Sequence, residues 1–394
     1  MKFQNRKRLL IVIPRIPYPL NSGGRIAIYD TIKMLSIKYE LVLIIVDDDK
    51  SNIKYLEIFR QYSTEIHFFS KSKIYFVVNA LKGLLFGMPL QVGYFYFKEV
   101  QQLVDSISKS CDYYFSFMIR TSLYGLNLNL KKGLYSIDSM YLNYLNSLER
   151  STSPIWKLIY RIEIPLLHKI ELSHISKYDF TTFVNREEAL YWENCGNVYT
   201  LPHGVTEDIL NHTNTNKTYS NAIVFLGRMD YQPNIDAVLW FCNNVLENLN
   251  KEIIFYVIGG FPTEEILRLK DRHSNIKILG FVDDPYTIIK SCICTVAPMQ
   301  SGGGLQTKIL MAMALESIVL STSLPIKAID GALNKVNIII EDAPSNFVKI
   351  INSIFEFPEE YISIKKASKK LIIENYSTKV VESKLNFLIE KYFK

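Results

Sequence analysis

The stretch CTVAPMQSGGGLQTKILMAMALESIVLS, residues 294–321, shows the architecture of the chain most clearly. It predicts a buried strand at Cys294–Ala297, a glycine-rich loop, an apolar helix at Lys308–Leu315 and another buried strand at Ile318–Ser321. Continuous apolar strands that alternate with helices are typical of a parallel sheet covered by helices on both faces.

The same alternation continues on both sides of this stretch. In the second half of the chain it predicts further strands at Ala222–Leu226, Ile253–Ile258, Ile276–Leu279 and Asn337–Ile340. In the first half it predicts strands at Leu9–Pro14, Leu41–Val46, Ile66–Phe69, Asp112–Phe117, Gly133–Ile137 and Phe180–Val184. A polar tract, residues 211–220, lies between the two series and predicts a loop or linker.

Two such series predict an α/β protein with two Rossmann-like, doubly wound domains that face each other across a cleft. We expect residues 1–205 to form the N-terminal domain and residues 206–375 the C-terminal domain. Residues 376–394 predict a helix that packs back toward the N-terminal domain. Ligands of doubly wound sheets bind beyond the carboxyl ends of the strands, so residues that follow strands are the site candidates.

Composition excludes several classes of protein. The 394 residues are 48% hydrophobic and 21% charged, which excludes a disordered, collagenous or coiled-coil chain. Five cysteines without a C-x-x-C motif exclude a disulfide scaffold, and the six histidines show no zinc-ligand spacing. Neither a secretory signal nor an apolar run of about 18 residues is evident, so we expect a cytoplasmic protein without a spanning helix.

The charge is unevenly distributed along the chain. Residues 1–200 contain 25 Lys and Arg against 18 Asp and Glu, although the whole chain has a net charge of only +6. The first half is therefore expected to meet an anionic surface or ligand, unless the difference is chance drift. The positive charges are dispersed and match no nucleic-acid-binding motif, which excludes nucleic acid as a partner.

Three loops that follow predicted strands have the chemistry of phosphate sites. In Ser301–Lys308, three glycines precede a helix whose first N–H groups and Lys308 attract anions, although the P-loop pattern is absent. Arg228 follows Gly227 directly after a strand, where its guanidinium can bind phosphate with two hydrogen bonds. A third loop, residues 21–25 (NSGGR), follows the first strand. A flexible turn and a surface arginine are the structural alternatives.

The order of these elements resembles the GT-B glycosyltransferases, specifically the retaining family four (glycosyl transferases group 1). The matching segments are Gly23-Gly24, Leu201–Val205, Gly227-Arg228, Ile258–Gly260, Gly280–Asp284 and Pro298–Ala314 with its P…GGG…KILxAMA pattern. The resemblance covers essentially the whole chain. It implies a nucleotide-sugar donor held mainly by the C-terminal domain, an acceptor held by the N-terminal domain, and retention of anomeric configuration.

The resemblance also implies roles for individual residues. Asp138, Arg228 and Lys308 are the expected catalytic residues, and no metal or cofactor is expected besides the nucleotide sugar as co-substrate. The expected donor-binding residues are Gly23, Gly24, Gly227, Gly302, Gly303, Gly304, Leu305, Gln306, Thr307 and Met311. Cations and N–H groups would stabilise the charge that develops on the departing diphosphate.

Two positions depart from the family pattern. Family members usually carry two glutamates eight positions apart, the second of which binds the ribose hydroxyls; here the second is Met311, which cannot accept those hydrogen bonds as a carboxylate does. Glu316 is the nearest alternative carboxylate. The lysine usual about five residues after Arg228 is replaced by Gln232-Pro233, and we hypothesise that Lys308 compensates for it.

The acceptor side rests on looser matches. Arg120, Ser139 and Tyr18 are the expected acceptor contacts, and Arg120 could instead pair with an acid. Asp138 follows a strand and could orient the attacking hydroxyl or cap the next helix. The aromatic and basic stretch Lys71–Lys98 predicts either an anionic-membrane contact or packing around the helices of this domain.

We therefore expect a glycosyltransferase that moves sugar to a glycan or lipid-linked acceptor in the biosynthesis of surface polysaccharide, lipopolysaccharide or another glycoconjugate. It would be cytoplasmic, or peripheral on the inner face of the cytoplasmic membrane. The alternatives are a catalytically altered GT-B relative that acts as a scaffold, favoured by Met311, and, ranked last, a nucleotide-sugar epimerase.

Overall fold

The computed structural model describes residues 6–20, 22–302 and 304–394. The chain divides into two compact units. The first unit comprises Met1–Pro202 with Glu382–Lys394, and the second comprises His203–Val381. Each unit is built on one parallel β-sheet, as the alternating sequence pattern predicts.

The first unit contains a seven-stranded sheet of order β3-β2-β1-β4-β5-β6-β7, in which all pairs are parallel. Its strands are β1 (Arg8–Pro14), β2 (Glu40–Asp47), β3 (Glu65–Ser70), β4 (Tyr113–Phe117), β5 (Lys131–Ile137), β6 (Phe180–Phe183) and β7 (Val198–Thr200). Residues 9–13 of β1 are completely buried because the strand is central and covered on both faces.

Helices connect these strands. They are α1 (Gly23–Lys38), α2 (Leu56–Arg60), α3 (Lys73–Leu85), α4 (Leu90–Phe95), α5 (Lys98–Ser108), α6 (Met118–Ser122), α7 (Met140–Arg150), α8 (Pro154–Lys177) and α9 (Arg186–Trp192). The C-terminal residues also belong to this unit. Phe393 stacks on Tyr113 with ring centroids 4.7 Å apart, and Lys38 Nζ lies 2.8 Å from Glu390 Oε1.

The second unit contains a six-stranded sheet of order β10-β9-β8-β11-β12-β13, again with all pairs parallel. Its strands are β8 (Ala222–Leu226), β9 (Ile254–Ile258), β10 (Ile276–Gly280), β11 (Cys294–Ala297), β12 (Ile318–Ser321) and β13 (Ile339–Ile340). Its helices are α10 (Glu207–Leu210), α11 (Gln232–Asn244), α12 (Glu264–Leu267), α13 (Leu269–Arg272), α14 (Pro285–Ser291), α15 (Thr307–Ala314), α16 (Ser323–Ile326), α17 (Pro344–Glu356) and α18 (Ile362–Asn375); α19 (Thr378–Tyr392) begins here and ends in the first unit.

The polar tract of residues 211–220 lies inside the second unit rather than between the units. Its side chains and backbone are tied to α14. His212 Nε2 lies 3.0 Å from Thr287 Oγ1, and Asn216 N donates to Ser291 Oγ at 2.8 Å. The tract is therefore a loop of that unit, and its polarity reflects exposure to solvent.

Both sheets have the strand order of a doubly wound fold, which confirms the predicted fold class. The chain changes direction between β1 and β4 in the first unit and between β8 and β11 in the second. At such a switch point, the loops after the two neighbouring strands diverge and leave a crevice at the carboxyl edge of the sheet. The loops after β1, β4, β8 and β11 are therefore where we expect a ligand site in each unit.

Candidate functional site

In the second unit, the loop after β8 is bound tightly to the loop after β9. Gly227 N donates to Ile258 O at 2.9 Å, and Met229 N donates to Gly260 O at 3.0 Å. A Cβ on Gly259 would lie 1.8 Å from Gly227 O, and the φ of Gly259 is +151°. Only glycine permits this approach, so the two loops form one rigid turn beneath Arg228.

Arg228 is held by its own loop. Its Nε and Nη2 donate to Asp230 Oδ1 and Oδ2 at 3.0 and 2.6 Å, and its guanidinium carbon lies 5.5 Å from the centre of the Phe261 ring. Both members of the ion pair are partly exposed, so the pair contributes only about 0–1 kcal/mol to stability. A phosphate can therefore replace Asp230 at the guanidinium at little energetic cost.

The glycine loop after β11 reaches the same turn. A Cβ on Gly302 would lie 3.2 Å from Pro233 Cβ, and Ser301 Oγ donates to Asp236 Oδ2 at 3.4 Å. Gly302 and Gly304 have φ values of +95° and +79°, which other residues rarely adopt. The loop therefore packs on the start of α11. Gly303, an expected donor contact, lies outside the described residues.

The end of this loop leads into α15. Leu305 is buried, Gln306 is the N-terminal capping residue and Thr307 is the first helical residue. The first N–H groups of a helix lack intrahelical acceptors, so this terminus can donate to an anion. The next residue, Lys308, adds an amino group that can carry a full positive charge.

Lys308 is joined to the arginine loop through Asn234. Lys308 Nζ donates to Asn234 Oδ1 at 2.6 Å, and Asn234 Nδ2 donates to the carbonyl of Arg228 at 2.9 Å. The ammonium also lies 4.2 Å from the centre of the Phe225 ring. Among the described residues no carboxylate pairs with it, and burial lowers the pKa of Lys308 to about 7. The structure thus places both predicted cations of the second unit on one network.

The structure shows the surroundings of the two positions that depart from the family pattern. Met311 lies on α15 and is partly buried. Glu316 does not replace the missing carboxylate, because its Oε2 pairs with Lys290 and Lys369 at 3.3 and 3.4 Å. Gln232 begins α11 and donates to Asp236 Oδ1 at 2.8 Å, so it is engaged within its own helix.

In the first unit, the chain turns sharply at the carboxyl ends of three strands. Arg15, Met118 and Ile137 follow or end β1, β4 and β5, and their φ values are +69°, +62° and +69°. Such backbone costs about 1–3 kcal/mol per residue and clusters at functional sites. A Cβ on Gly24 would lie 3.5 Å from Met118 Cε and 3.9 Å from Ile137 Cδ1. Gly23 and Gly24, the first residues of α1, therefore begin that helix beside these turns.

Asp138 follows β5, as predicted. Among the described residues its carboxylate has no hydrogen-bond partner, in contrast to its backbone, whose N–H donates to Ser136 O. Burial raises the pKa of Asp138 to about 6, and the charge of Arg120 partly opposes this rise. A carboxyl group that titrates near neutral pH can accept a proton from a hydroxyl group.

Ser139, an expected acceptor contact, is completely buried. It is the N-cap of α7, and its Oγ accepts from Leu142 N at 3.3 Å and donates to Glu171 Oε2 at 2.6 Å. Its own N–H donates to Glu188 Oε2 at 2.8 Å. Capping of the next helix was one alternative for Asp138. Ser139 caps α7 instead, so Asp138 does not have that role.

Glu171 and Glu188 are buried carboxyl groups that the sequence did not single out as part of a cluster. Burial raises the pKa of Glu171 to about 7, and burial together with the charge of Asp138 raises the pKa of Glu188 to about 9. Glu188 lies in the first turn of α9. Its contact with Ser139 joins α9 to α7 and could not be seen from local sequence.

A cavity of 490 Å³ lies next to the turns after β1 and β4. Arg120, one of the expected acceptor contacts, lines it together with Arg15, which sequence reasoning missed. Arg15 follows a strand just as Arg228 does, so the same rule would have found it. Tyr18, the third expected contact, is partly exposed and packs on Tyr55 with ring centroids 5.0 Å apart.

Both interpretations of the stretch Lys71–Lys98 have support. Phe76, Phe95 and Phe97 are buried in the core of the first unit, as packing requires. The exposed face of α3 is nevertheless apolar: Ile74, Tyr75, Val77, Val78, Leu81 and Leu85 all point to solvent, and Phe86 follows them. Gly87 and Pro89 lie between α3 and α4. None of the described helices is long and apolar enough to cross a membrane.

Within residues 6–20, 22–302 and 304–394, no group of three or more His, Cys, Asp or Glu side chains is arranged to hold a metal ion. Charge at the carboxyl edges of the two sheets is supplied by arginine, lysine and single carboxylates.

Comparison with known proteins matches residues 220–356 to the family model "Glycosyl transferases group 1". An uncharacterized 44.6 kDa protein in the cps region of Klebsiella pneumoniae is 24% identical over 402 residues, covering 96% of this chain and 98% of that protein. The crystal structure of Anabaena Alr3699/HepE with UDP superposes with a TM-score of 0.67 at 10% identity, covering 98% of this chain and 100% of that one.

A second solved structure, the pneumococcal O-GlcNAc transferase GtfA with UDP and GlcNAc, superposes with a TM-score of 0.63 at 11% identity, covering 99% of both chains. The matched segment 220–356 contains the arginine loop, the glycine loop and Lys308. Residues 220–356 therefore resemble the glycosyl transferases group 1 family, and the fold of the chain is the two-domain, Rossmann-like GT-B fold.

Proposed function

We propose that this protein is a glycosyltransferase that moves a sugar from a uridine-diphosphate sugar to a glycan or lipid-linked acceptor, with retention of configuration and without a metal. One observation carries the proposal: Arg228, Asn234 and Lys308 form a single network where the loops after β8 and β11 meet. The likeness to Alr3699/HepE and GtfA, both crystallised with UDP, supports uridine as the base.

The second unit would bind the donor through its diphosphate. The N–H groups at the start of α15 and the guanidinium of Arg228 would contact the phosphate oxygens, and the loop of residues 302–306 would follow the nucleotide. Lys308 would carry the proton that offsets the charge of the leaving diphosphate. When the glycosidic bond to phosphate breaks, negative charge grows on the bridging oxygen, and fixed cations lower the barrier by stabilising it.

The first unit would supply the acceptor side. With a pKa of about 6, Asp138 is mostly ionised at neutral pH and can accept a hydrogen bond from the attacking hydroxyl. Attack on the face from which the diphosphate departs would retain the anomeric configuration, as the resemblance to family four implies. Gly23, Gly24, Leu305, Gln306, Thr307 and Met311 stay predicted donor contacts.

Polysaccharide synthesis at the inner face of the cytoplasmic membrane is the setting we propose. The cps-region relative supports surface polysaccharide as the product. The apolar exposed face of α3 supports contact with a membrane surface.

A second function, that of a scaffold without catalysis, is favoured by one pair of observations. Met311 cannot accept the ribose hydrogen bonds as a carboxylate can, and Arg228 is already paired with Asp230. Under that alternative, the Arg228–Asp230 pair would persist in the presence of nucleotide.

A donor panel separates the two functions. UDP-, GDP-, ADP- and CMP-sugars are incubated with the full chain, and released nucleotide is measured. We expect release from UDP-sugars and a loss of about 100-fold or more with Arg228→Ala. Arg272→Ala is the matched control. Arg272 is exposed and ends α13 just before β10 begins, so it lies at the amino ends of the strands, whereas Arg228 lies at their carboxyl ends. Absence of release from every donor would favour the scaffold, and equal release by wild type and Arg228→Ala would refute the assigned site.

A further inference from the structure

The 490 Å³ cavity of the first unit has a lining of two kinds. Val77, Ala80 and Leu81 of α3 and Leu90 of α4 form an apolar wall, whereas Arg15 and Arg120 bring two guanidinium groups. The volume lies within the range of about 300–1,000 Å³ that is usual for small-molecule sites. A cavity that joins an apolar wall to cations suits a ligand with a hydrocarbon part and an anionic part.

Only one of the two arginines is neutralised by a carboxylate. Arg15 Nε and Nη2 donate to Asp48 Oδ1 and Oδ2 at 2.6 and 2.9 Å, and Tyr94 Oη donates to Asp48 Oδ2 at 2.7 Å. Asp48 is therefore fully engaged. One positive charge and one negative charge cancel at this end of the cavity.

Arg120 has neutral partners instead. Its Nε donates to Gln91 Oε1 at 2.7 Å, and its Nη1 lies 3.9 Å from Met118 Sδ. Asp48 and Asp138 are the carboxylates whose charges act on it, yet no ion pair within 4.0 Å of Arg120 occurs in the described part of the chain. A guanidinium that is largely withdrawn from water and unpaired is unfavourable, so Arg120 is a ready site for an anion.

The polar amide in the lining is already satisfied. Gln91 Oε1 accepts from Arg120, and Gln91 Nε2 donates to Tyr144 Oη at 2.6 Å. Few uncommitted polar groups therefore remain to bind the many hydroxyls of a sugar. Inside the cavity, the lining therefore disfavours a glycan and favours a part of the ligand whose only polar group is a charged head.

The mouth of the cavity continues onto the exposed apolar face of α3. Val77 and Leu81, one helical turn apart, line the cavity and are 49% and 56% exposed. Ile74, Val78 and Leu85 extend the same apolar surface along the helix. A hydrocarbon chain can therefore leave the cavity without entering a polar environment.

We propose that this cavity binds a lipid phosphate, with the phosphate on Arg120 and the hydrocarbon chain along the α3 wall. The inference rests on the proposed function and deepens it, since it names the acceptor as a sugar carried on a lipid phosphate. It also assigns Arg120, rather than Ser139, as the residue of the first unit that binds the acceptor.

The test measures binding to the full chain by titration calorimetry, with octyl phosphate, octanol and inorganic phosphate as probes. We expect octyl phosphate to bind at one site, about tenfold or more tightly than either fragment probe, since the site uses both charge and chain. Arg120→Gln should weaken octyl phosphate about tenfold and leave octanol unchanged. Lys82→Gln is the matched control, because Lys82 is an exposed cation of α3 outside the cavity lining, and it should change nothing.

A second variant keeps the test decisive if Arg120→Gln destabilises the protein. If the thermal midpoint of Arg120→Gln falls, Ala80→Leu, which fills the apolar wall, should reduce binding of octyl phosphate and of octanol together. Equal affinity for octanol and octyl phosphate, or unchanged binding in both variants, would overturn the inference. UDP binding is measured in the same samples. If the protein binds UDP but not octyl phosphate, only the lipid site is refuted. If the protein does not bind UDP, the donor site is refuted.

Discussion

Lys308→Met is expected to lower the rate of nucleotide release by about 100-fold or more while the protein stays folded. Methionine is an unbranched side chain of similar length, but it removes the charge, the cation–π contact with Phe225 and the hydrogen bond to Asn234. That hydrogen bond links Lys308 to the carbonyl of Arg228, so both cations of the site are affected. Steady-state release of UDP from the donor measures the loss.

The pH dependence of UDP binding distinguishes this role from a packing role. In the free protein the pKa of Lys308 is about 7, because burial disfavours the charged form. A bound diphosphate favours that form, so binding takes up a proton above pH 7 and affinity should fall as pH rises from 7 to 9. In Lys308→Met this slope should vanish. Lys270→Met, which changes an exposed lysine of α13, should retain it. Unchanged turnover and an unchanged slope in Lys308→Met would show that Lys308 has no part in donor binding.

Gly259→Ala is expected to destabilise the second unit by about 3–5 kcal/mol. The added Cβ would lie 1.8 Å from Gly227 O, and the φ of +151° is strained for any other residue. The loop after β8 must then move away from the loop after β9, which displaces Arg228 as well. Calorimetric unfolding of the full chain measures the shift of the transition of this unit.

Gly260→Ala is the matched control for this prediction. A Cβ on Gly260 would meet no atom within 4 Å, so its unfolding transition should stay within about 0.5 kcal/mol of wild type. Equal stability of Gly259→Ala and Gly260→Ala would contradict the close approach of the two loops.

Most strands could be predicted from sequence because burial on both faces produces continuous apolar runs. Ala222–Leu226, Cys294–Ala297 and Ile318–Ser321 begin and end at the predicted residues. The strand β7 was missed because its three residues are only half-buried, so they produce no apolar run. The polarity of the tract 211–220 predicts a loop or linker, and the structure shows a loop within the second unit. Its contacts with α14 join residues about 75 positions apart, so no local pattern shows them.

The places of the candidate residues after strands could be predicted from sequence, but the residues that they contact could not. The rule that ligands bind at carboxyl ends of strands found Gly227-Arg228, the glycine loop and Asp138. Asp230 is only two residues from Arg228, and its pairing could have been anticipated. The contacts of Lys308 with Phe225 and Asn234 join residues more than 70 positions apart, and the burial of Ser139 depends on two other helices.

The most direct test of the account is a crystal structure of the full chain with bound UDP. We predict the diphosphate at the N-terminus of α15, with phosphate oxygens within hydrogen-bond distance of the Arg228 guanidinium and near Lys308 Nζ, and with the Arg228–Asp230 pair broken. A diphosphate bound elsewhere in the chain, or Arg228 still paired with Asp230 and out of reach of the phosphates, would contradict the assigned donor site.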